Sequence, residues 1–349
     1  MKSTSARTWP DLLRHLLAGE DLAAPDTAWV MDRVLGDDAS DVQLAGFLVA
    51  LRAKGETSEE IAGLAEAMLM HARRIEVPAR AMDVVGTGGD HSHSVNISTM
   101  TAIVVAAAGV PVVKHGNRAA SSKCGAADLL EALGVAIDLP PEGVLRCVTE
   151  LGIGFCFAPV FHPAMRHTAG ARGGLGVPTA MNVLGPLTNP AQPAAGLVGC
   201  ADARMAPVIA GVLAGRGSSA LVVRGDDGLD EITTTTTTTV WAVSEGEVRR
   251  DRIDPAALDI SPATADDLRG GDASFNADVA GALFGGRSGP VRDAVTLNAA
   301  AAIAAYDGLG PDLSADVRAA LERVGHAVDS GAAADLLARW AGLSTSLRA

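Results

Sequence analysis

The stretch from Met82 to Gly134 constrains the fold of this chain more than any other. It reads Met82-Asp83-Val84-Val85-Gly86-Thr87-Gly88-Gly89-Asp90, then Asn96-Ile97-Ser98-Thr99, then Lys114-His115-Gly116-Asn117-Arg118. A short apolar run enters a glycine loop, and helix-start residues follow it. A second apolar run, Val110 to Val113, leads to another polar loop. Strand, loop, helix, strand, loop is the anion-binding half of an α/β domain, with the two loops placed to meet at one ligand.

The residue types indicate what that ligand is. Gly86, Gly88 and Gly89 carry no side chains, so backbone N–H groups can approach a phosphate and positive φ costs little. Asn96, Ser98 and Thr99 are placed to cap the next helix, whose free N–H groups and positive dipole end favour negative charge. Lys114 adds a mobile cation, and Asn117 can donate or accept, for example to a ribose hydroxyl. Asp90 is the odd member. A carboxylate beside a phosphate nest repels it unless a metal or sugar hydroxyls intervene, which points to a sugar phosphate. A tight turn with no ligand is the alternative for the loop alone; the Lys-His-Gly-Asn segment after the next strand argues against it. The familiar nucleotide loops are absent: there is no Gly-x-x-x-x-Gly-Lys-Ser/Thr, and position 91 is His where Gly-x-Gly-x-x-Gly needs a third glycine.

At 349 residues the chain can hold two domains and a large core. Apolar residues make up 48% and aromatics only 3%, which suits close helix-on-sheet packing and argues against disorder. The formal charge of −13, from 28 basic and 41 acidic side chains, disfavours nucleic-acid or acidic-membrane binding. A basic pocket within an acidic protein remains compatible with it. Cys124, Cys147, Cys156 and Cys200 form no Cys-x-x-Cys and read as reduced, partly buried thiols. Residues 1–20 lack the apolar core of a signal peptide, and the longest apolar run, Ala102 to Val113, is too short to span a bilayer. The expectation is a soluble cytoplasmic protein.

Residues 1–76 read as a small helical domain. The first helix, Pro10 to Leu17, ends at Gly19; Ser40 with Gln43 and Thr57 with Glu60 each fit a capping box. After Thr57, Ile61, Leu64, Ala65, Met68, Leu69 and Ala72 keep to one face, with Arg73 and Arg74 in the last turn. So thin a bundle should lean on another domain or subunit. Residues 77–349 read as alternating α/β: strands at Ile153–Phe157, Ala195–Cys200 and Ala220–Arg224, and helices at Ala126–Leu133, Pro163–Arg172, Pro207–Leu213, Pro290–Tyr306 and twice more. This predicts an α/β large domain with a mainly parallel central sheet flanked by helices, the helices near 163–190 joining the small domain. The threonine tract Thr233 to Thr239 reads as extended strand.

A second chemical cluster, Arg224-Gly225-Asp226-Asp227-Gly228-Leu229-Asp230-Glu231, follows a strand at its carboxyl end, where open α/β sheets place ligands. Four carboxylates in six residues suit a hard cation, and Mg²⁺ typically takes one or two carboxylates plus waters and substrate phosphates. A solvated acidic turn is the alternative; the neighbouring phosphate-type loop favours the metal.

These blocks, with His162-Pro163-Ala164-Met165, Gly185-Pro186-Leu187-Thr188-Asn189-Pro190 and Val291-Arg292-Asp293-Ala294-Val295-Thr296-Leu297-Asn298-Ala299-Ala300, closely resemble the anthranilate phosphoribosyltransferases, in order along the chain. The resemblance implies a homodimer of the nucleoside phosphorylase/phosphoribosyltransferase-like fold. It implies a Mg²⁺-dependent reaction, with two ions per site, joining anthranilate to 5-phosphoribosyl 1-diphosphate (PRPP) in tryptophan biosynthesis. By resemblance, Gly86, Thr87, Gly88, Gly89, Asp90, Asn96, Ser98, Thr99, Lys114, His115, Gly116, Asn117, Ser121 and Ser122 hold PRPP. Ser98, Asp230 and Glu231 hold the metal. Gly86, Asn117, Pro159, His162, Met165 and Arg172 receive anthranilate, with Arg172 the candidate for its carboxylate. No residue is assigned as a general acid or base; His115 is the one candidate, and a loop hydrogen-bonding role stays open beside it. Three segments depart from the family's pattern: His91-Ser92-His93-Ser94, Gly173-Gly174 and Ala180-Met181. The two glycines should loosen the Arg172 helix by roughly 1–2 kcal/mol. Two other readings share the scaffold. A pyrimidine nucleoside phosphorylase would have no need of Asp230-Glu231, and a non-catalytic nucleic-acid-binding relative should be basic.

Overall fold

The computed structural model describes residues 7–119 and 122–348; Ser121, named above for PRPP, lies outside them. The chain begins with four helices, α1 (Trp9–Leu17), α2 (Ala24–Leu35), α3 (Asp41–Lys54) and α4 (Ser58–Met70). Both capping boxes form. Ser40 and Thr57 accept the backbone N–H three residues on, and Gln43 and Glu60 return to the cap N–H. Glu60 is fully buried and also accepts from Lys54 Nζ and from the Leu22 amide, each at 2.9 Å, so one cap fastens three segments. The last helix stops earlier than its apolar pattern suggests. α4 ends at Met70, and Arg73 and Arg74 lie beyond it rather than in its last turn. The cause is tertiary: the Arg73 amide donates to Phe161 carbonyl oxygen at 2.8 Å and the Ile75 amide to Pro190 at 3.4 Å, pulling the chain away.

The α/β region runs β1 (Met82–Gly86), α5 (Ile97–Ala107), β2 (Val112–Gly116), α6 (Ala126–Ala132), α7 (Pro141–Leu151), β3 (Ile153–Phe157) and α8 (Ala158–Phe161). A 3₁₀ segment, Pro163–Thr168, and α9 (Ala169–Leu175) then pack against α2 and α3. Next come β4 (Ala195–Gly199), α10 (Met205–Gly215), β5 (Ser219–Gly225) and the hairpin β6 (Thr238–Ser244) and β7 (Glu247–Ile253). Four helices close the chain: α11 (Ala273–Phe284), α12 (Pro290–Asp307), α13 (Leu313–Asp329) and α14 (Ala332–Ser346). The sheet has seven strands in the order β3-β2-β1-β4-β5-β6-β7; β3 to β5 are parallel, and β6 and β7 are antiparallel additions at the edge. The expected mainly parallel sheet flanked by helices is present.

Alternating side chains send the sheet's two faces into separate cores. Val84 joins α5 and α12 on one face, while Val85, Val198 and Val222 join α10 and the N-terminal bundle on the other. The bundle's thin core is thus completed by the sheet. Strand order reverses between β1 and β4, which opens a crevice at their carboxyl ends.

Further boundaries shift: the helix expected over Pro163–Arg172 is a 3₁₀ segment followed by α9. Lys114, His115 and Gly116 belong to β2, so the second polar loop begins only at Asn117. Of the threonine tract, only Thr238 and Thr239 enter a strand. Thr233 to Thr237 stay out of it where three hydroxyls are committed to the acidic loop: Thr233 and Thr235 donate to Asp227, and Thr237, together with Thr239 of β6, to Asp226.

Helices α2 and α4 touch at Gly63, where a Cβ would lie 2.1 Å from Ala24 carbonyl oxygen and 2.2 Å from Thr27 Oγ1. Backbone cannot retreat as a flexible side chain would. Gly63→Ala should therefore cost about 1–3 kcal/mol, read as a lower urea midpoint at unchanged slope; an unchanged midpoint would refute the tight contact.

Candidate active site

The acidic loop after β5 divides into two pairs of carboxylates with different tasks. Asp226 and Asp227 are held by the threonines. Asp230 and Glu231 turn inward and are buried against the carboxyl ends of β1 and β4. Close approach is possible only because two strand ends are glycine: a Cβ on Gly199 would sit 1.6 Å from Asp230 carbonyl oxygen, and one on Gly86 2.5 Å from Asp230 Oδ2. From the far side, Asn298 of α12 accepts from the Ile232 amide at 3.0 Å and donates to its carbonyl at 2.8 Å, fixing the residue after Glu231.

These carboxylates occupy the donors expected to face a ligand. Gly88 N–H donates to Asp230 Oδ2 at 2.7 Å, and Ser98 N–H, in the first turn of α5, donates to Glu231 Oε1 at 3.1 Å. The Thr87 amide is bound to Gly199 carbonyl oxygen at 2.9 Å. Gly88 and Gly89 have φ of +69° and +83° with open space where a Cβ would lie, so glycine serves the turn here and not steric clearance. Asn96 is the N-cap residue of α5 but makes no side-chain cap bond. Its Nδ2 donates to Cys124 carbonyl oxygen at 3.0 Å and its Oδ1 accepts from Asn276 at 2.8 Å, because burial between α5 and α11 offers partners the helix end does not.

Lys114 is not a mobile cation. It is 2% exposed, donates to Val84 carbonyl oxygen and, at 3.2 Å, to Ser98 Oγ. Burial lowers its pKa, opposed by the charges of Asp83, Glu231 and Asp230. Burial drives the Asp230 carboxyl well above its ordinary range, and the charges of Glu231 and Asp90 add to the rise. Glu231 is pushed up to about 7 by burial, with Lys114 opposing. Three buried carboxylates around one ammonium leave this pocket short of positive charge. Among the described residues no group of three or more His, Cys, Asp or Glu side chains is arranged to hold a metal unaided. A pair of carboxylates with Ser98 beside it suits Mg²⁺, which retains waters and phosphate oxygens in its shell.

On the β3 side two histidines stand with ring centroids 5.1 Å apart. His115 Nδ1 contacts Gly185 carbonyl oxygen and His162 Nε2 contacts Thr188 carbonyl oxygen, both at 2.9 Å. A carbonyl only accepts, so these nitrogens carry the protons. His115 Nε2 and His162 Nδ1 are therefore bare lone pairs, buried and without a partner among the described residues. Burial pushes the pKa of His115 down to about 3, with His162 adding to the fall, and burial pushes that of His162 down to about 4. Pro159, Arg172 and Asn117 are exposed and Met165 half-buried. Arg172 has no carboxylate within ion-pair distance among the described residues. α9 stays helical through Gly173 and Gly174.

A family model described as "Glycosyl transferase family, a/b domain" matches residues 78–334, and one described as "Glycosyl transferase family, helical bundle domain" matches residues 10–72. A protein of Saccharopolyspora erythraea named anthranilate phosphoribosyltransferase is 66% identical over 344 residues, covering 99% of this chain and 98% of its own. This chain belongs to the anthranilate phosphoribosyltransferase family. The crystal structure of the Thermus thermophilus member superposes with a TM-score of 0.89 at 42% identity, covering 97% of this chain and 100% of that one. The Saccharomyces cerevisiae member in complex with PRPP and Mg gives 0.87 at 27% identity, covering 98% and 99%.

Of the residues the family pattern singled out, the fold brings Gly86, Gly88, Asp90, Ser98, Lys114, Asp230 and Glu231 into one contact network. Thr99 is buried in α5 with its hydroxyl unpartnered, and Ser122 is exposed at the mouth of a small cavity beside Lys123 and Arg269. A second cavity of about 750 Å³, lined in part by Asp83 and Asn189, lies between α4, α10 and the amino ends of β4 and β5. It contains none of the glycine loop or the acidic pair. Sequence reasoning assigned nothing to Asp83, although a lone carboxylate in the run Met82 to Val85 was the available signal.

The two buried rings carry a stability consequence. The unfolded chain takes up protons on both as the pH falls through about 6.5, whereas the folded rings resist down to about 4 and about 3. The stability these two rings contribute is therefore lost progressively on acidification below about 6.5, while the buried carboxyls, raised by burial, act in the opposite direction over the same range. Measured from pH 6.5 to 4.5, the melting temperature of His115→Asn relative to wild type should rise as the pH falls; a constant difference would show that His115 is accessible to protons when folded.

Proposed function

We propose that this protein joins anthranilate to PRPP, giving N-(5-phosphoribosyl)anthranilate and diphosphate, as a step of tryptophan biosynthesis that uses Mg²⁺. The observation that carries this reading is the meeting of the glycine loop, the α5 amino end, Lys114 and the Asp230-Glu231 pair at the carboxyl ends of the strands. A phosphorylase, which uses phosphate as nucleophile, gives no reason for the buried acidic pair. The chain's charge of −13 does not suit nucleic acid.

Within the site, Gly86 to Asp90, Asn96, Ser98, Thr99, Lys114, His115, Gly116, Asn117 and the Ser121-Ser122 loop are assigned to PRPP. Asp230, Glu231 and Ser98 are assigned to Mg²⁺, with two ions expected. When bound, Mg²⁺ supplies the positive charge that this carboxylate-rich pocket lacks and that the departing diphosphate requires. The protein's own share is electrostatic and positional. Lys114 and the Ser98 amide hold Ser98 and the Glu231 carboxylate in place, so that the groups assigned to the metal and the leaving group are preorganised. Anthranilate's amine is a neutral nucleophile, so orientation outweighs base catalysis. Gly86, Asn117, Pro159, His162, Met165 and Arg172 are assigned to the acceptor, with the unpaired Arg172 meeting its carboxylate. A ring as hard to protonate as His115 is a poor proton store at neutral pH. Its bare Nε2 serves as a hydrogen-bond acceptor.

The small domain is taken as residues 1–76 with the helices near 163–190, and the large domain as residues 77–349. A homodimer in the cytoplasm completes the reading. Apolar side chains left exposed on and beside the bundle, Leu17, Val42, Val49, Met70 and Val177, support a protein contact there. Among the described residues no helix is long and apolar enough to cross a membrane.

Purified protein mixed with anthranilate, PRPP and Mg²⁺ should show loss of anthranilate fluorescence, abolished by EDTA; no loss would refute the acceptor. Asp230→Asn combined with Glu231→Gln should reduce turnover by about 10²-fold or more. Without metal the same variant should melt at or above the wild-type temperature, because two buried like charges are gone. Full turnover in it would overturn the metal assignment. Arg172→Ala should raise the KM for anthranilate about tenfold or more and leave that for PRPP near wild type; an effect confined to PRPP would misplace the acceptor pocket.

A further inference from the structure

Strands β1 and β2 are sheet neighbours, yet their registered ladder consists of one pair, Met82 with Val112. The flanking ladders, β1 with β4 and β2 with β3, each keep five pairs. Continued in register, the next parallel rung would use the N–H and C=O of Val84, the C=O of Val113 and the N–H of His115. Side chains hold most of these groups instead. Val113 carbonyl oxygen accepts from Asn189 Nδ2 at 2.7 Å, and His115 N–H donates to Asp83 Oδ1 at 3.1 Å. Val84 carbonyl oxygen accepts from Lys114 Nζ. Asn189 Nδ2 also donates to Asp83 Oδ2 at 2.8 Å, and Asn189 Oδ1 accepts from the Ala191 amide at 2.9 Å. Three of these four interstrand backbone groups are held by side chains, and the strands are not zipped.

A plain ladder would satisfy the same backbone groups without burying a carboxylate, and Asp83 is only 3% exposed. The arrangement therefore costs stability that a Val or Ile at position 83 would not. What it gains is placement. The unzipped stretch of β2 carries Lys114 and His115, and the residue that fills the gap comes from the Gly185–Pro190 segment, whose Gly185 and Thr188 carbonyls fix both histidines. We propose that Asp83 and Asn189 are positioning residues of the transferase site: they hold the β1–β2 seam open and so set where the Lys114 ammonium and the His115 ring stand. The proposal rests on the reading of the site given under Proposed function. Neither residue is assigned a contact with substrate.

The test uses Asp83→Asn, which keeps the shape but turns an amide donor toward the Asn189 donor, and Asn189→Ser, which removes the donor and leaves the carboxylate. Two quantities are read on each folded variant. The first is kcat with both substrates saturating, expected to fall at least tenfold. The second is the ¹⁵N spectrum of histidine-labelled protein, in which His115 should leave the Nδ1–H form held in the wild type; in Asp83→Asn, His162 should keep its Nε2–H form as an internal control. A merely structural role would lower the melting temperature and leave both quantities unmoved in the folded protein, which would overturn the proposal. Should Asp83→Asn fail to fold, Asn189→Ser decides alone on the same criteria. The spectrum needs no turnover. A wild-type protein inactive toward anthranilate would overturn the functional reading, while an unmoved His115 signal would overturn the positioning role.

Discussion

Asp83, Asp230 and Glu231 are buried around the single ammonium of Lys114, and most of the architecture at the carboxyl edge of the sheet follows from accommodating that imbalance. Burying a charge is costly unless hydrogen bonds replace water. The replacements come from four separate places: the Gly88 amide after β1, the Ser98 amide opening α5, the His115 amide of β2 and the Asn189 side chain. Each bond joins elements distant in sequence, so the cluster also fixes how the glycine loop, α5, β2 and the acidic loop sit together. A folded state that keeps carboxyl groups well above their ordinary range is strained electrostatically. Such strain is expected where a protein must attract a cation and a polyanion together rather than maximise its own stability.

The side of the site next to β3 depends on a different constraint. The six residues Gly185 to Pro190 donate and accept in every direction: carbonyls to His115, His162, Arg216 and the Ile75 amide, and a side chain to Asp83 and Val113. This segment ties the chain leaving the N-terminal bundle to the sheet and to both histidines. The rings are thereby held as neutral tautomers with their lone pairs turned away from those carbonyls. Such a pair can receive an N–H group but has no donor to offer there, which suits an amine and disfavours a second carboxylate.

Much of the fold was legible because it rests on local physics. The capping boxes at Ser40 and Thr57, the strand at Ile153–Phe157 and the alternation of strand and helix follow from side-chain chemistry over a few residues. The site was legible as a set of residue types but not as a set of contacts. Glycine loop, helix start and acidic pair all read as ligand-facing. In the folded chain Asp230 and Glu231 have taken up the Gly88 and Ser98 amides, and Lys114 lies beneath them rather than reaching out. The threonine tract likewise matched strand propensity, yet four hydroxyls answer the unused half of the acidic loop.

The sequence by itself determined the membership of this chain in its family, the order of its elements and which residue types could meet a sugar phosphate and a metal. Those are properties of composition, periodicity and ordered motifs, each contained within a short window. Only the tertiary structure decided where α4 stops, that β1 and β2 part after one rung, and that Asp83 and Asn189 occupy the gap. The deciding bonds span 106 residues between Asn189 and Asp83, and 133 between Ser98 and Glu231. Burial, which shifts Asp83, Lys114, His115, His162, Asp230 and Glu231, exists only once the sheet has closed over them.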